Sequence, residues 1–444
     1  MNDRPPYDLA PGRSADDLPA PEGVWCCEWE LSGEEGPRAV VAASGEPTCR
    51  VLVRLHGEPL GQVSLPLPGT GPDPAALLAA STRAFAGRIR EHLVAEGLVE
   101  GAVGTRPPAA TERCPNRVAG DELVTVVVCT RDRSATLTGC LERLRALTYP
   151  RLEVLVVDNA PSDGATERVV AAVAAADGRF RYVREPRPGL SWARNRGLRE
   201  ARGRYVAYTD DDVEVDPGWV EGVVRGFARR DDVGCVTGLV CAASLATASE
   251  AYFDAQATSW STRFRAVEFD LRGAGRTNAL YPWSPGIFGT GANMAVDRDL
   301  LVGLGGFDTA LGAGTPTRGG EDLDCFVRVL RAGRSIVYEP AALVWHHHRA
   351  DPAALLGQLF GYGAGLTAFL AKALLDRNTR GEVARRIPVG LWLMARAGRR
   401  RAGPGDAAAP VPRPRRPRGA RVRGTAGLLA GPLLYLRARQ AVRR

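Results

Sequence analysis

Residues 123–133 read LVTVVVCTRDR: seven almost continuously apolar positions from Leu123 to Cys129, followed by Thr130, Arg131, Asp132 and Arg133. An uninterrupted β-branched run of this length, without polar alternation, is the pattern of a strand covered on both faces. Working outward, Leu137 to Leu147 has helical periodicity, Glu153 to Val157 is a second buried strand, and Thr166 to Ala176 is a second helix. Arg181 to Val183, Trp192 to Arg202 and Arg204 to Thr209 continue the alternation as strand, helix, strand. Strands alternating with helices predict an α/β fold, with a mostly parallel sheet flanked by helices. Ligands of such sheets sit beyond the carboxyl ends of the strands, so the residues just after each strand are the ones to examine.

Three strands deliver polar groups to that edge. The first ends in Thr130, Arg131 and Arg133, and the second in Asp158-Asn159. The last, Tyr205-Val206-Ala207-Tyr208-Thr209, runs into Asp210-Asp211-Asp212. Asp158 can accept a hydrogen bond from a nucleobase N–H, and Arg131 or Arg133 can face a diphosphate. An Asp-Asn pair after a strand is also an ordinary turn. Three consecutive carboxylates repel one another, and a divalent cation relieves that repulsion. Mg²⁺ or Mn²⁺ takes oxygen ligands and keeps positions open for phosphate oxygens. The alternative is a solvated acidic turn.

Further along, Gly319-Gly320-Glu321-Asp322-Leu323-Asp324 places two glycines ahead of carboxylates at the start of a helical run, Leu323 to Leu330. This is either a helix start with acidic first-turn residues or a general base that takes a proton from an attacking hydroxyl. Trp345-His346-His347-His348-Arg349 closes an apolar strand, Ala342 to Val344. A neutral imidazole there can complete a metal shell, although spacing does not say which of the three.

The flanks are of a different kind. Residues 1–20 are rich in Pro, Asp and Gly and are expected to be disordered. Residues 21–100 read as a small α+β unit, with strands at Val24–Leu31, Arg50–Leu55 and Gln62–Leu67 and helical spacing from Pro74 to Leu98. His56-Gly57-Glu58-Pro59 is its hairpin loop; His56 and His92 stand alone in sequence and read as surface or core histidines rather than ligands. Residues 101–120 read as a linker, 121–350 as the main domain and 351–394 as apolar and amphipathic helices. Pro352 to Leu375 is apolar and long, but Gln358, Lys372 and four glycines favour an interfacial or buried helix pair over a membrane span.

The chain has 444 residues, 45% hydrophobic and 24% charged, which is ordinary for a globular protein with more than one domain. Its net charge of +8 is unevenly placed: from Ala395 onward there are 14 Arg and one Asp, a net of +13, which leaves the rest at −5. Residues 395–423 are too rich in Arg, Pro and Gly to build a core and are expected to be disordered, with a short apolar stretch, Leu428 to Leu436, beyond. Basic and apolar segments together fit an anionic membrane surface, with a solvated tail as the alternative. No nucleic acid is expected, because no recognition fold accompanies the charge. The nine cysteines form no CxxC pair and no leader is evident, so reduced thiols in a cytoplasmic compartment are expected, with Cys129 and Cys325 in the core.

Together these stretches carry a resemblance. VTVVVCTRDR, LEVLVVDNAPSD, PGLSWARNRGLREARGRYVAYTDDD, FGTGANMAVDRDLLVGLGGFDTALGAG and GGEDLDCFVRVLRAGRSIVYEPAALVWHH agree in order and spacing with family 2 glycosyltransferases, over about half of the chain. The resemblance implies the A-type nucleotide-sugar-binding fold and transfer of a sugar from a nucleotide diphosphate sugar, with inversion, to an acceptor hydroxyl. It implies that Asp158 contacts the base, that Asp210 and Asp212 face Mn²⁺ or Mg²⁺ with Asp211 toward the ribose or metal, and that His346 joins the metal. Asp322 becomes the catalytic base with Glu321 beside it, and Arg194, Asn195, Gly291 and Asn293 lie near the donor. The QxxRW motif of processive members is missing, which favours single addition. The acceptor stays open, a lipid-linked or cell-envelope one being compatible with the tail. A nucleotidyltransferase and a non-catalytic sugar-nucleotide-binding protein at a membrane surface are the rival readings.

Overall fold

The computed structural model describes residues 23–69, 71–99, 104–117, 120–273, 279–397 and 416–442. The disorder expected of residues 1–20, and most of the Arg-Pro stretch, 398–415, lie outside the described residues.

The N-terminal unit is built from β1 (Val24–Glu30), β2 (Thr48–Leu55), β3 (Glu58–Pro66), α1 (Pro74–Ala84) and α2 (Ala86–Ala95). β1 pairs parallel to β2, and β2 pairs antiparallel to β3 through the turn at His56-Gly57. Asp73 caps α1, its carboxylate accepting from the Ala75 amide at 3.1 Å, with Pro74 at the first helical position. The single helical run expected here is broken at Phe85, whose ring lies where a Cβ on Gly61 would stand, 2.4 Å away. Only glycine at position 61 leaves room for that ring.

The main domain follows as β4 (Val124–Thr130), α3 (Ser134–Arg145), β5 (Leu152–Asn159), α4 (Ala165–Ala176), β6 (Phe180–Glu185), α5 (Leu190–Glu200) and β7 (Tyr205–Asp210). Next come β8 (Val213–Val215), α6 (Trp219–Ala228), β9 (Val233–Ala242), α7 (Ala248–Gln256), α8 (Thr258–Ser261), β10 (Val267–Phe269), β11 (Asn293–Asp297) and α9 (Arg298–Gly303). The chain ends in α10 (Glu321–Arg331), β12 (Ser335–His346), α11 (Pro352–Leu375), α12 (Arg380–Ala397) and α13 (Ala420–Val442).

Nine strands form one sheet in the order β10-β12-β9-β11-β7-β4-β5-β6, with β8 paired to β12. The half built from β6, β5, β4 and β7 is parallel, as the alternation requires. The other half is mixed, because β11 enters antiparallel between β7 and β9. Two reversals restore direction, so β9 and its parallel partner β12 run the same way as β7. The ends of β4, β5, β7 and β12 therefore share one edge, and the start of β11 lies there too. β5 and β9 are buried along their whole length, which is why their sequences show no alternation. Each fully buried Val or Leu in these strands contributes roughly 1.5–3 kcal/mol.

Residues 352–375 form one continuous helix, α11, and not the helix pair the glycines implied. Among the described residues it is the one helix long and apolar enough to cross a membrane by length and composition. Its glycines serve close packing. A Cβ on Gly363 would stand 2.6 Å from the Gly424 carbonyl, and one on Gly427 would stand 2.2 Å from that of Phe360, so α11 and α13 meet backbone to backbone. Disorder is likewise corrected at the end of the 395–423 stretch, where residues from 420 onward belong to α13. All nine cysteines are free; Cys325 is fully buried, whereas Cys129 is only partly covered and lines a cleft.

Candidate active site

At the shared strand edge is an open cleft of about 340 Å³. Thr130, Arg131 and Arg133 from the end of β4, Asp210 closing β7 with Asp211 and Asp212 just beyond it, and His346 from β12 all line it. Thr290 and Ala292 ahead of β11, and Gln358 and Tyr362 of α11, complete its wall.

The three aspartates have different surroundings. Asp210 is pushed up to about 6 by burial and by Asp212, Asp211 and Asp322, against the pull of Arg194. Asp211 turns inward and is buried; it accepts from Thr130 Oγ1 at 2.7 Å and from Arg133 at 2.5 Å. The ribose-or-metal position expected of Asp211 is therefore corrected: its oxygens brace the turn. Asp212 accepts from Arg133 at 3.1 Å and Arg349 at 3.3 Å. Burial opposes its ionisation, but the Arg133 and Arg349 guanidiniums outweigh it and hold the carboxyl below its ordinary value. Burial lowers His346 to about 4, so its ring is neutral at pH 7 and offers a lone pair. Its Nδ1 lies 3.1 Å from His348 Nδ1, while His347 turns away to Glu214 at 2.9 Å. Two carboxylates and a neutral imidazole line this cleft, oxygen and nitrogen donors of the kind Mn²⁺ or Mg²⁺ accepts.

Asp158, at the end of β5, is completely buried. Its Oδ2 accepts from Tyr182 at 3.0 Å, and its Oδ1 has no partner. Burial raises its carboxyl above the usual range. An unpartnered buried acceptor is costly and invites a donor from a ligand.

Arg194 of α5 is the hub behind the cleft. It is 2% exposed, and donates to Glu321 Oε1 at 2.9 Å and to the Gly291 carbonyl at 3.0 Å, with Asp210 Oδ1 at 3.7 Å. Burial works against its charge, and Glu321 and Asp210 outweigh it. Glu321 is buried, and burial with Asp322 lifts it to about 7; its Oε2 has no partner. Asp322 is less enclosed and accepts from the Gly291 amide at 3.1 Å and the Leu323 amide at 2.8 Å. Gly291 thus ties the Arg194 hub to Asp322 through its own carbonyl and amide. Gly320, at φ 92°, starts the helix in the left-handed region that favours glycine.

Two residues expected near the donor are anchored by the protein itself. Asn195 exchanges both hydrogen bonds with the Phe307 backbone, at 2.8 and 2.7 Å, and holds that loop. Asn293 donates to the Leu239 and Ala342 carbonyls at 3.0 and 2.8 Å, and accepts from Trp219 Nε1 at 2.9 Å. Asn293 spends both amide protons inside the protein and Asn195 one proton and one lone pair, and neither side chain lines the cleft. Conversely, Arg349, Gln358 and Tyr362 were missed. Arg349 adjoins the histidine run, but no local pattern marks two polar residues of an apolar helix as cleft lining.

The glycosyl transferase family 2 model matches residues 125–301. The uncharacterized protein y4gI of Sinorhizobium fredii is 30% identical over 52% of this chain, and the chain spans only 25% of that protein's length. The glucosyl-dolichyl phosphate glucuronosyltransferase of Haloferax volcanii is 28% identical over 50% of this chain and 68% of its own. The mannosyltransferase PcManGT from Pyrobaculum calidifontis, solved with GDP-Man and Mn²⁺, aligns over 72% of this chain and 87% of its own, with 20% identity and a TM-score of 0.43. Through residues 125–301, the chain belongs to glycosyl transferase family 2.

Proposed function

We propose that this chain transfers a single sugar, with inversion, from a nucleotide diphosphate sugar to an acceptor hydroxyl, and that Asp210, Asp212 and His346 hold the divalent cation the reaction uses. The observation that carries the reading is that these three ligands line one cleft while Arg194, in the wall behind it, reaches both Asp210 and Glu321. When bound, the cation neutralises charge on the departing nucleotide diphosphate.

The chain's own groups supply the rest. Asp158 Oδ1 accepts an N–H of the base. Arg131, half-exposed at the rim, faces the phosphates, whereas Arg133 is engaged by Asp211 and Asp212. Asp322, oriented by two backbone amides, takes the acceptor proton as the hydroxyl attacks. Glu321 stays against Arg194 and positions its neighbour. One displacement without an enzyme nucleophile inverts the sugar carbon.

The acceptor is proposed to be presented at an anionic membrane surface. Ile387, Leu391, Trp392 and Leu393 of α12 and Val422, Leu429, Leu433 and Leu436 of α13 are exposed apolar residues on Arg-bearing helices. The relative acting on a dolichyl phosphate sugar supports a lipid-linked acceptor. The test is hydrolysis of a panel of nucleotide sugars with and without Mn²⁺ or Mg²⁺. Cation-dependent release of a nucleoside diphosphate from one donor is expected. Pyrophosphate formation from a nucleoside triphosphate and a sugar phosphate, or binding without turnover on any acceptor, overturns the reading. Vesicle co-sedimentation tests the membrane part separately, with equal partitioning on neutral and anionic vesicles as the refuting result.

A further inference from the structure

The two histidines that stand alone in sequence do not stand alone in space. His56 on the β2–β3 turn, His92 and Glu96 at the end of α2, and Cys114 in the segment leading to the main domain bring one ligand atom each within 4.8 Å of one another. His92, Glu96 and Cys114 are 5%, 3% and 5% exposed, and the His56 side chain is 1% exposed. Leu55 and Leu93 beside them are fully buried, so solvent does not compensate the polar groups.

The proton count within the cluster is the telling feature. His56 Nε2 lies 2.9 Å from the Pro108 carbonyl, which can only accept, so that nitrogen carries the proton and Nδ1 keeps a lone pair. His92 Nδ1 lies 2.9 Å from a carboxylate oxygen of Glu58, so Nδ1 carries its proton and Nε2 keeps a lone pair. Glu96 Oε2 is taken by the amide and hydroxyl of Thr111 at 2.7 and 3.1 Å, which turns Oε1 inward. Two imine lone pairs and a carboxylate oxygen then face one another, with 3.2 Å between the ring nitrogens and 2.9 Å from His92 Nε2 to Glu96 Oε1. Glu96 Oε1 is also in contact with His56 Nδ1. A single thiol proton cannot satisfy three acceptors, and a cation at their centre satisfies all of them.

We propose that His56 Nδ1, His92 Nε2, Glu96 Oε1 and Cys114 Sγ bind a structural Zn²⁺, separate from the cation of the cleft. The donor set of two imidazoles, one carboxylate and one thiolate suits zinc, and four protein ligands leave no open position for chemistry. Zn–N bonds of about 2.0–2.1 Å and a Zn–S bond of about 2.3 Å, at tetrahedral angles, put two nitrogens about 3.3 Å apart and nitrogen and sulfur about 3.6 Å apart. The two nitrogens are 3.2 Å apart, and His92 Nε2 is 3.6 Å from Cys114 Sγ. On binding, Cys114 releases its thiol proton to solvent, and the thiolate and Glu96 balance the charge of the ion. Glu58 and the Pro108 carbonyl hold the outer ring N–H groups, the support that ligating imidazoles require.

The ion ties three segments together. Next to it, Asn116 donates to the His56 carbonyl at 2.8 Å and accepts from Arg225 of α6, which reaches Glu339 of β12 at 2.7 Å. The site thus pins the connecting segment to the N-terminal unit at the point where that segment meets the main domain.

The experiment is elemental analysis of the full-length protein purified from zinc-supplemented medium without chelators. One zinc per chain is expected in the wild type and in Asp212→Ala, which removes only a cleft ligand. Cys114→Ser with His92→Gln is expected to lose it, and Glu58→Gln to weaken zinc binding roughly 10–100-fold. Zinc content equal in the wild type and the double variant overturns the proposal. If the double variant does not fold, Co²⁺ is titrated into chelator-treated wild type: a thiolate-to-cobalt charge-transfer band with intense tetrahedral d–d bands supports the site, and no thiolate band refutes it.

Discussion

Glu321→Gln is a direct probe of the hub behind the cleft. Glu321 ionises at an ordinary value of 4.5 and is lifted to about 7 in the folded chain by burial and by Asp322, with Arg194 pulling it back. The folded state therefore holds this proton where the unfolded chain has lost it. Stability must fall as pH rises from the unfolded value toward the folded one, and is level above it. At about 1.36 kcal/mol per unit, the loss attached to this carboxyl is on the order of 3 kcal/mol. Glutamine keeps an oxygen for the Arg194 bond and does not titrate. Any fixed cost of placing its amide where Oε2 has no partner is the same at every pH. Urea unfolding of both proteins, followed by tryptophan fluorescence without divalent cations at pH of about 5 and about 8, isolates the effect. Relative to the variant, the wild type is expected to lose most of that 3 kcal/mol between the two conditions. A wild-type-to-variant difference that does not change with pH would show that Arg194 offsets burial and Asp322 completely, and that Glu321 is not held protonated in the folded chain.

Asp322→Asn is expected to keep donor affinity by calorimetry while turnover falls by roughly 10²–10⁴; near-normal turnover removes Asp322 as the base. Asp158→Ala deletes the buried acceptor and is expected to weaken binding of the cognate nucleoside diphosphate by about 1–3 kcal/mol, with unchanged affinity removing the base contact. Gly427→Leu drives a side chain into the Phe360 carbonyl and is expected to cost about 1–3 kcal/mol, read as a lower melting temperature and proteolytic release of α13. Wild-type resistance in that variant would mean α11 and α13 are not in backbone contact.

The parallel half of the sheet was legible because its signal is local. Buried strands such as β5 lack alternation, and Asp158 and Asp210 follow directly from where such strands end. The antiparallel entry of β11 was not legible, since strand direction is set by partners far away in sequence. Asn195 and Asn293 show the limit of motif reasoning: both lie in the motif, yet one clips a loop and the other ties β9 to β12. Asp211 was indistinguishable from its neighbours until Thr130 and Arg133 were seen to claim it. The His56, His92, Glu96 and Cys114 cluster draws on a turn, a helix end and a connecting segment, and no sequence spacing announces such a meeting.

The contact between α11 and the start of α10 has a mechanical meaning. A Cβ on Gly365 would stand 2.7 Å from the Gly319 carbonyl carbon, and one on Gly320 would stand 2.4 Å from the Gly365 oxygen. No cushion of side chains separates the two backbones, so they act as meshed gears rather than surfaces that slip. A tilt of α11, from which Tyr362 reaches the cleft, is carried to the helix end that bears Asp322. Whatever seats the long helix thereby also sets the aim of Asp322, the proposed proton acceptor.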